Sequence, residues 1–462
     1  MVPGQRAGGA AVTGSYPASI SQRLLWQATR LSSAGATATP RCYRIRDLDR
    51  DALQRALDGL RARHESLRTR LAGAGPRLVQ EVSDPGPLPV EWVTCDAADL
   101  DADGLPPGGI PATAPGQEVV VRVWQTALDS LLLINVDHLL TDAWSARILG
   151  GELAHLYAAH RAGREPGLPD PGWQYRQFAQ WQIDRLRGDA LERLQAAWLA
   201  RIAGAEPAQL PSPATRVIRT QRTAAVRRIP PSPELHSAFQ TLCAAGGTTV
   251  PCAALAVFFL LLRMITGQDD LCIGSIFANR THARVWRTTG LFAHLLPLRL
   301  AVSDDSTVAV ALRRAHETMS HALAHQELPM SLLPSGALGR QTAVGVHNTV
   351  FHVLPTAMAE QDARQDAGQD SGPGSDQSLL PRQARSLGSG GARFDLELAL
   401  VPYPAAIGGF VRYATDRFAA QWVDDFCALL RELAQAAAGD PEQSLRELGR
   451  RCREKSLMLA GR

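Results

Sequence analysis

Three polar residues after one apolar run have the types and spacing that acid–base chemistry needs. Residues 131–136 read Leu-Leu-Leu-Ile-Asn-Val, and Asp137, His138 and Asp142 lie among the six residues that follow. The run predicts a buried strand, whose end is a rigid platform for a catalytic group. His138 can transfer protons near neutral pH, and Asp142 can hold the local turn in shape.

The first half of the chain contains the elements that must position these residues. A helix is predicted directly after them, over about 143–162. Further helices are predicted at 19–31 and 49–63, strands at 78–82 and 119–123, and a Pro/Gly-rich loop at 105–116. A connector at 163–172 then leads into a long helix over 175–202, interrupted near Gly188. We place a boundary between two domains near 170–185.

In the second half of the chain, segments with helical periodicity alternate with segments that have strand patterns. Helices are predicted at 232–245, with Ser232 as its cap, and at 250–266, 307–326 and 419–438. Strands are predicted at 271–276, 295–302, 346–354, 394–401 and 408–414. Residues 359–391 are rich in Gln, Asp, Gly and Ser without periodicity, which predicts a mobile, disordered surface insertion. Strands and helices in both halves indicate an α/β fold built as α+β sandwiches.

Composition narrows the classes of function. The 462 residues carry a net charge of only +3 with scattered arginines, so nucleic-acid binding is not expected. Seven cysteines without a CxxC pair argue against a disulfide framework and a zinc site. The first ten residues lack the apolar core of a signal peptide, and the apolar stretch 252–262 is too short to span a bilayer. A reduced cytoplasmic protein without membrane contact is the expectation.

Eight segments along the chain carry a family resemblance. DHLLTDA at 137–143 resembles the His-His-x-x-x-Asp-Gly signature of nonribosomal peptide synthetase condensation domains, within the chloramphenicol-acetyltransferase-like superfamily. The other segments resemble further motifs of these domains, in family order: SQRLLW (21–26), RHESLRT (63–69), YRQFAQWQ (175–182), IGSIFANR with GLFAHLLPLR (273–299), HQELPM (325–330), RFDL (393–396) and YATDRF (413–418). The matches cover roughly residues 15–450.

This resemblance implies a fold and a division of the chain. The family fold is a V-shaped pseudo-dimer of two chloramphenicol-acetyltransferase-like halves with a central tunnel, which phosphopantetheine arms enter from opposite faces. A flexible N-terminus over 1–14 would precede an N-terminal half over 15–180. The C-terminal half over 181–462 would carry a floor loop at about 278–290, the disordered insertion at 359–391 and a latch region near Arg393.

The resemblance also implies roles for individual residues. His138 corresponds to the histidine tied to catalysis, while Asp142 is structural and pairs with an arginine for which Arg280 is the match. Asp137 replaces the first, mostly structural histidine of the signature, and Ala143 replaces its glycine. Ala143, Trp144, Ser145 and His294 are candidates for lining the tunnel, and Ser145 is alternatively a helix cap. No bound cofactor or metal is implied.

The implied function is a condensation-type acyltransferase. It would move an acyl, polyketidyl or peptidyl chain from a carrier-protein phosphopantetheine thioester to an amine or alcohol, and chain release is one form of this reaction. The expectation is a free-standing, monomeric member with a carrier protein as donor and a small-molecule or carrier-bound acceptor. A catalytically inert module that recruits partners to a carrier protein is the alternative; a coenzyme A-dependent acyltransferase ranks third and epimerisation lower.

Several of these residues also have a simpler, purely structural interpretation. A histidine after a strand is on its own more often a core residue, and a metal site of Asp137, His138 and Asp142 is chemically conceivable. His64 and Glu65 are predicted to serve packing and hydrogen bonding. Trp26, Trp181 and Trp198 are predicted to be core residues.

Overall fold

The computed structural model of the chain describes residues 12–31, 38–96, 119–127, 129–211, 223–334, 348–354, 379–382, 392–452 and 459. The chain divides into two compact units. Unit 1 comprises Met1–Leu186, Arg280–Ala293 and Gly368–Leu387; unit 2 comprises Arg187–Asn279, His294–Ala367 and Gly388–Arg462. The segment 280–293, which the sequence places in the second half, therefore belongs to unit 1.

Among its described residues, unit 1 has two sheets and four α-helices. Strands and helices are numbered in chain order over both units. The strands of unit 1 are β1 (Val12–Pro17), β2 (Ala38–Ile45), β3 (Thr69–Ala72), β4 (Val79–Ser83), β5 (Val90–Thr94), β6 (Val119–Gln125), β7 (Ser130–Asp137) and β12 (Leu379–Arg382). The helices are α1 (Ile20–Leu31), α2 (Arg50–Arg63), α3 (Ala143–Arg161) and α4 (Tyr175–Arg185). The sheet orders are β12-β2-β7-β6-β5 and β1-β4-β3.

Strand β7 is the middle strand of the five-stranded sheet. All eight of its residues are buried, and it pairs antiparallel with both β2 and β6. Burial on both faces explains why the segment is a continuous apolar run rather than an alternating one. Leu132 of β7 shares one core cluster with Leu57 of α2 and Leu153 of α3. The fully buried leucines each contribute about 1.5–3 kcal/mol, which fixes the strand end that carries the candidate site.

The described part of unit 2 is built on a mixed sheet of six strands. Its strands are β8 (Ala224–Ser232), β9 (Asp270–Phe277), β10 (His294–Ala301), β11 (Thr349–Val353), β13 (Leu396–Tyr403) and β14 (Ala406–Ala414), in the order β10-β9-β11-β13-β14-β8. Strand β11 pairs in parallel with β9 and β13, and the other pairings are antiparallel. Its helices are α5 (Gly188–Ile202), α6 (Pro233–Gly246), α7 (Val250–Thr266), α8 (Val308–Ala324), α9 (Ala420–Gly439) and α10 (Leu445–Arg451). Helix α7 is buried along most of its length, as an apolar sequence all round predicts.

The predicted combination of strands and helices in both halves is confirmed. The long helix over 175–202 is interrupted as predicted, between α4 and α5. Ser232 caps α6, and its Oγ accepts a hydrogen bond from the backbone N–H of Leu235 at 3.1 Å. Trp26 and Trp198 are buried as predicted. No helix among the described residues can cross a membrane alone; α6 and α7 reach the required length and hydropathy only as a pair bent by 100°.

Two segments predicted to lack regular structure contain strands. Strand β1 begins within the predicted flexible terminus and pairs with β4, and β12 lies within the predicted disordered insertion and pairs with β2. These predictions are wrong at the paired residues, because partner strands supply hydrogen bonds that local composition does not reveal. Residues 1–11, the 105–116 loop and the rest of the 359–391 insertion lie outside the described residues.

Candidate active site

The polypeptide turns sharply where β7 ends, and Asp137 stabilises that turn. Its Oδ1 accepts a hydrogen bond from the backbone N–H of Leu139 at 2.8 Å, which caps a short 3-10 turn over His138–Leu140. The Asp137 side chain is buried. An aspartate is well suited to this position because its short side chain can accept a bond from a backbone donor two residues on. The residue that departs from the signature therefore has a local structural function.

His138 is held in one orientation by the same turn. Its Nδ1 lies 2.7 Å from the carbonyl oxygen of Thr141. A carbonyl oxygen can only accept, so Nδ1 carries the proton in this bond. In the neutral imidazole the lone pair is then on Nε2, the atom that can accept a proton. The half-buried ring thus has Nε2 as the nitrogen that can accept a proton.

The buried Asp142 connects helix α3 to the segment 280–293. Its Oδ1 caps α3 by accepting from the backbone N–H of Ser145 at 2.7 Å. Its Oδ2 accepts from the backbone N–H groups of Phe292 and Ala293 at 3.1 and 3.2 Å. Arg280 Nη2 lies 3.4 Å from Oδ1. Three backbone donors and a guanidinium compensate the charge of this carboxylate.

The guanidinium of Arg280 is nearly enclosed by unit 1. Nη1 donates to the carbonyl oxygens of Val285 and Thr288 at 2.5 and 2.8 Å, and Nη2 donates to Ser145 Oγ at 2.8 Å. The guanidinium carbon lies 4.1 Å from the centre of the Phe292 ring. Burial lowers the pKa of Arg280, and the Asp142 carboxylate opposes that shift. These contacts explain why 280–293 belongs to unit 1 rather than to the second half.

Ser145 and Gly290 fix the same segment from its other side. Ser145 Oγ donates to the carbonyl oxygen of Gly290 at 2.9 Å and accepts from its N–H at 3.1 Å. Ser145 is fully buried and is not the cap of α3, because Asp142 occupies that position. A hydroxyl engaged in this way is structural, which corrects the alternatives of a helix cap or a tunnel-lining side chain.

Replacing Gly290 by alanine is expected to destabilise unit 1 by about 3 kcal/mol. A Cβ at this position would overlap the ring of Tyr175. That ring cannot move away easily, because Tyr175 is buried and its hydroxyl bonds Ser19 and the Leu291 carbonyl oxygen at 2.8 and 2.5 Å. Urea denaturation should show a lower midpoint, while alanine at Gly439, where a Cβ meets nothing, should leave it unchanged. Equal midpoints for the two variants would contradict the close packing.

Ala143, the second residue that departs from the family signature, fits the local backbone conformation. Ala143 is the first residue of α3, and its φ is not positive. A helical position favours alanine over glycine by about 1 kcal/mol. Replacing the usual glycine therefore requires no strain.

The other two tunnel-lining candidates lie in different units. Half-buried Trp144 in α3 donates from Nε1 to the carbonyl oxygen of Trp286 at 3.2 Å, and both belong to unit 1. His294 belongs to unit 2, where its Nε2 lies 2.7 Å from the carbonyl oxygen of Gln326. Burial lowers the pKa of His294 to about 4, so this ring is neutral at physiological pH. That either residue lines a tunnel stays a prediction.

His64 and Glu65 are engaged in hydrogen bonds and ion pairs. His64 Nε2 lies 2.7 Å from Glu152 Oε2, and Arg63 Nε donates to the same oxygen at 2.7 Å. Glu65 accepts from Arg176 Nε at 2.9 Å. Burial raises the pKa of Glu152, but the two basic neighbours outweigh this and lower it overall. Both predicted packing residues are thus partnered, which fits a structural role.

Sequence reasoning missed the donors that complete the Asp142 site. The backbone N–H groups of Phe292 and Ala293 have no sequence signature as partners of a carboxylate about 150 residues away. The Ser145 hydroxyl likewise has no signature as a partner of Arg280. No group of three or more His, Cys, Asp or Glu side chains within the described part of the chain is arranged to hold a metal ion. The site therefore consists of an oriented imidazole beside a buried ion pair.

Comparisons with known proteins agree with the motifs. The family model described as "Condensation domain" matches residues 119–455. The chain is similar to phosphinothricin tripeptide synthetase PhsC of Streptomyces viridochromogenes (29% identity over 457 residues, 94% of this chain, 40% of that protein) and to chondramide synthase cmdD of Chondromyces crocatus (29% over 444 residues, 92% and 11%). The chain thus spans less than half the length of these curated relatives.

Solved structures share the fold of the chain. The SgcC5 protein from Streptomyces globisporus has a TM-score of 0.74 and 22% identity, covering 93% of this chain and 100% of that one. The X-domain from teicoplanin biosynthesis has a TM-score of 0.76 and 21% identity, with coverages of 95% and 99%. The first condensation domain of the calcium-dependent antibiotic synthetase has a TM-score of 0.73 and 20% identity, also with 95% and 99%.

Proposed function

The chain belongs to the condensation-domain family, and we propose that it transfers an acyl or peptidyl chain from a carrier-protein thioester to an amine or alcohol. Peptide synthetases among its relatives support a condensation role at the level of the family. The observation that carries the proposal for this chain is the hydrogen bond from His138 Nδ1 to the Thr141 carbonyl oxygen. It presents Nε2 as the basic atom of an imidazole fixed at a strand end.

The proposed reaction assigns one proton-transfer role to His138. The acceptor nitrogen or oxygen attacks the thioester carbonyl carbon, and Nε2 takes the proton that this atom loses. The tetrahedral intermediate then collapses, the carbon–sulfur bond breaks, and the phosphopantetheine sulfur leaves as a thiol with the proton that Nε2 had taken, so that the imidazole is neutral again. An amide or ester remains. Positioning of the two substrates supplies much of the remaining acceleration.

Asp142 and Arg280 act in this proposal as positioning residues. They bond the start of α3 and the segment 280–293, and Asp142 is only four residues after His138. Neither is required to exchange a proton. The carboxylate fixes the backbone that supplies the Thr141 carbonyl, and thereby the imidazole.

Intact-protein mass spectrometry tests the proposed reaction. Carrier proteins loaded with acetyl, fatty acyl and aminoacyl groups are incubated with the chain and a panel of amines and alcohols. Loss of the acyl mass from the carrier, together with formation of the matching amide or ester, is the expected result. Hydrolysis to the free acid alone, or no change for every carrier that binds, would contradict it.

A second candidate function is a catalytically inert condensation-like module that recruits a partner to a carrier protein. The observation that favours it is Asp137 in place of the first histidine of the signature. Among structures with this fold, the X-domain was solved in a complex with OxyB. A chain that binds acylated carrier protein without transferring the acyl group to any acceptor would favour this candidate.

Substitutions of Asp137 separate its hydrogen bond from its charge. Asp137→Asn keeps an oxygen that can accept from the Leu139 N–H, so we expect stability and activity close to those of the original chain. Asp137→Ala removes the acceptor and should cost about 1 kcal/mol of unfolding free energy and lower activity. Urea denaturation and the transfer assay measure both effects. If the two variants are equally impaired, the charge rather than the cap is what the site requires.

A further inference from the structure

A buried polar side chain of helix α1 contacts the turn that carries His138. Gln22 of α1 is fully buried, and its Nε2 donates to the carbonyl oxygen of Leu139 at 3.1 Å. Both residues belong to unit 1. Leu139 is the middle residue of the 3-10 turn His138–Leu140. The bond therefore reaches the chain between the imidazole and the Thr141 carbonyl oxygen that orients it.

The oxygen of the same Gln22 amide belongs to a capping box at the start of α1. Ser19 Oγ accepts from the backbone N–H of Gln22 at 3.1 Å, and Gln22 Oε1 accepts from the backbone N–H of Ser19 at 3.0 Å. This reciprocal pair stabilises the beginning of the helix. Gln182 Oε1 of α4 accepts from the next backbone N–H, that of Ile20, at 3.2 Å. The amide that contacts Leu139 is thus held on a fixed support.

The capping box alone does not explain why residue 22 is a glutamine. Glutamate serves equally well at this position of a capping box, because only a side-chain oxygen takes part. A carboxylate would in addition suit the positive N-terminal end of the helix dipole. It has no donor for the Leu139 carbonyl oxygen, whereas an amide carries N–H groups beside its oxygen. The amide of Gln22 is therefore explained by its bond to the turn.

Side chains bond both backbone polar atoms of Leu139. Asp137 Oδ1 accepts from its N–H at 2.8 Å, and Gln22 Nε2 donates to its C=O. The side chains of Leu139 and Leu140 are buried in one core cluster with Trp26 of α1. Apolar packing is non-directional, whereas a hydrogen bond specifies the direction of the C=O group. The two hydrogen bonds therefore fix the peptide groups on either side of Leu139.

The orientation of these peptide groups determines where the imidazole is held. His138 Nδ1 lies 2.7 Å from the Thr141 carbonyl oxygen, and the Thr141 N–H donates to the His138 carbonyl oxygen at 3.4 Å. Both contacts join the two ends of the turn, so both depend on the peptide between Leu139 and Leu140. Misplacing a reacting group by about 1 Å can cost about 10²-fold in rate. Gln22 thus acts on the imidazole through the turn.

We infer that Gln22 is a positioning residue for His138, which it holds with the proton on Nδ1 and the basic lone pair on Nε2. The inference rests on the proposed function, since it assigns Gln22 to the proton transfer by His138. Gln22 itself exchanges no proton. Its effect is on the chemical step and not on substrate binding.

Substitution of Gln22 tests the inference in the transfer assay. Gln22→Met keeps the length of the side chain and removes its amide. It should lower kcat about 10–100-fold with KM nearly unchanged, because the general base is misplaced while substrate binding is retained. Gln22→Glu keeps the capping box, but its carboxylate cannot donate to the Leu139 carbonyl oxygen. It should show the same loss, and it remains a test if Gln22→Met does not fold.

Ser19→Ala is the matched control for the stability of α1. It removes the hydroxyl that caps the helix and contacts Tyr175, so it should unfold at a lower urea concentration. It keeps the backbone N–H that bonds Gln22 Oε1, and therefore the bond from Gln22 to Leu139. The kcat of this variant should equal that of the original chain.

A second measurement follows the imidazole without any substrate. In the chain labelled with ¹⁵N-histidine, the chemical shifts of the two ring nitrogens indicate which one carries the proton. The His138 signals, assigned by their loss in His138→Asn, should indicate Nδ1–H in the original chain and in Ser19→Ala. In both Gln22 variants they should move toward the average of the two tautomers, because the Thr141 carbonyl oxygen no longer holds the proton on Nδ1.

Two results would overturn the inference. One is unchanged His138 ring shifts in a folded Gln22 variant. The other is an equal loss of kcat in Ser19→Ala, which would assign the loss to the stability of α1. Absence of acyl transfer by the original chain with every substrate would overturn the proposed function alone, since the ring shifts would still decide whether Gln22 orients His138.

Discussion

Replacing His138 by alanine should reduce acyl transfer by about 10²–10⁴-fold, the usual contribution of a positioned general base. The reason is geometric: Nδ1 is committed to the Thr141 carbonyl oxygen, so the imidazole offers Nε2 as its basic atom. The comparison is made by intact-protein mass spectrometry with the donor and acceptor pair that reacts fastest. Substrate binding should change little, so the loss should fall on kcat rather than on KM.

Two further variants show whether basicity is what the reaction requires. His138→Asn retains an N–H that can donate to the Thr141 carbonyl oxygen but offers no basic nitrogen, so it should be as impaired as the alanine variant. His155→Ala removes an exposed histidine that follows in α3, and should be fully active. Wild-type turnover by a folded His138→Asn would mean that positioning alone drives the reaction.

The elements and residues that hold the site in place could be predicted from the sequence to different degrees. Strand β7 and helix α3 follow from the apolar run and the helical periodicity, because local burial determines both. Arg280 was matched to Asp142 through the family motif, and the two lie in contact. The backbone donors of Phe292 and Ala293 could not be predicted, since every residue except proline has a backbone N–H and only the tertiary fold selects which one a carboxylate meets.

The order of residues along the chain assigns the segment 280–293, which completes the site, to the wrong unit. Residues 280–293 follow β9 of unit 2 in sequence, so continuity places them in the second half. Their polar groups instead bond α3 and Trp173, the residue that follows the 163–172 connector. Arg280 Nη2 donates to Ser145 Oγ of α3, and Thr288 Oγ1 donates to the Trp173 carbonyl oxygen at 2.6 Å. Its apolar residues Val285, Leu291 and Phe292 do pack in one cluster with α4, but their spacing has no helical or strand periodicity that could indicate which core the segment joins.

Replacing Asp142 by alanine should lower the unfolding free energy of unit 1 by about 3–5 kcal/mol. The change leaves the buried Arg280 guanidinium without its carboxylate and removes the acceptor of three backbone N–H groups, those of Ser145, Phe292 and Ala293. Urea denaturation followed by circular dichroism measures the loss. Activity should fall with it, because the turn that orients His138 precedes this cap directly.

The double variant Asp142→Ala with Arg280→Met separates the buried charge from the backbone bonds. If an uncompensated guanidinium causes most of the loss, removing it should make the double variant more stable than Asp142→Ala alone, despite the second truncation. If the three backbone N–H groups dominate instead, the two losses should add. Additive losses would therefore contradict the ion pair as the main stabilising contact and assign that role to the cap of α3 and the bonds to Phe292 and Ala293.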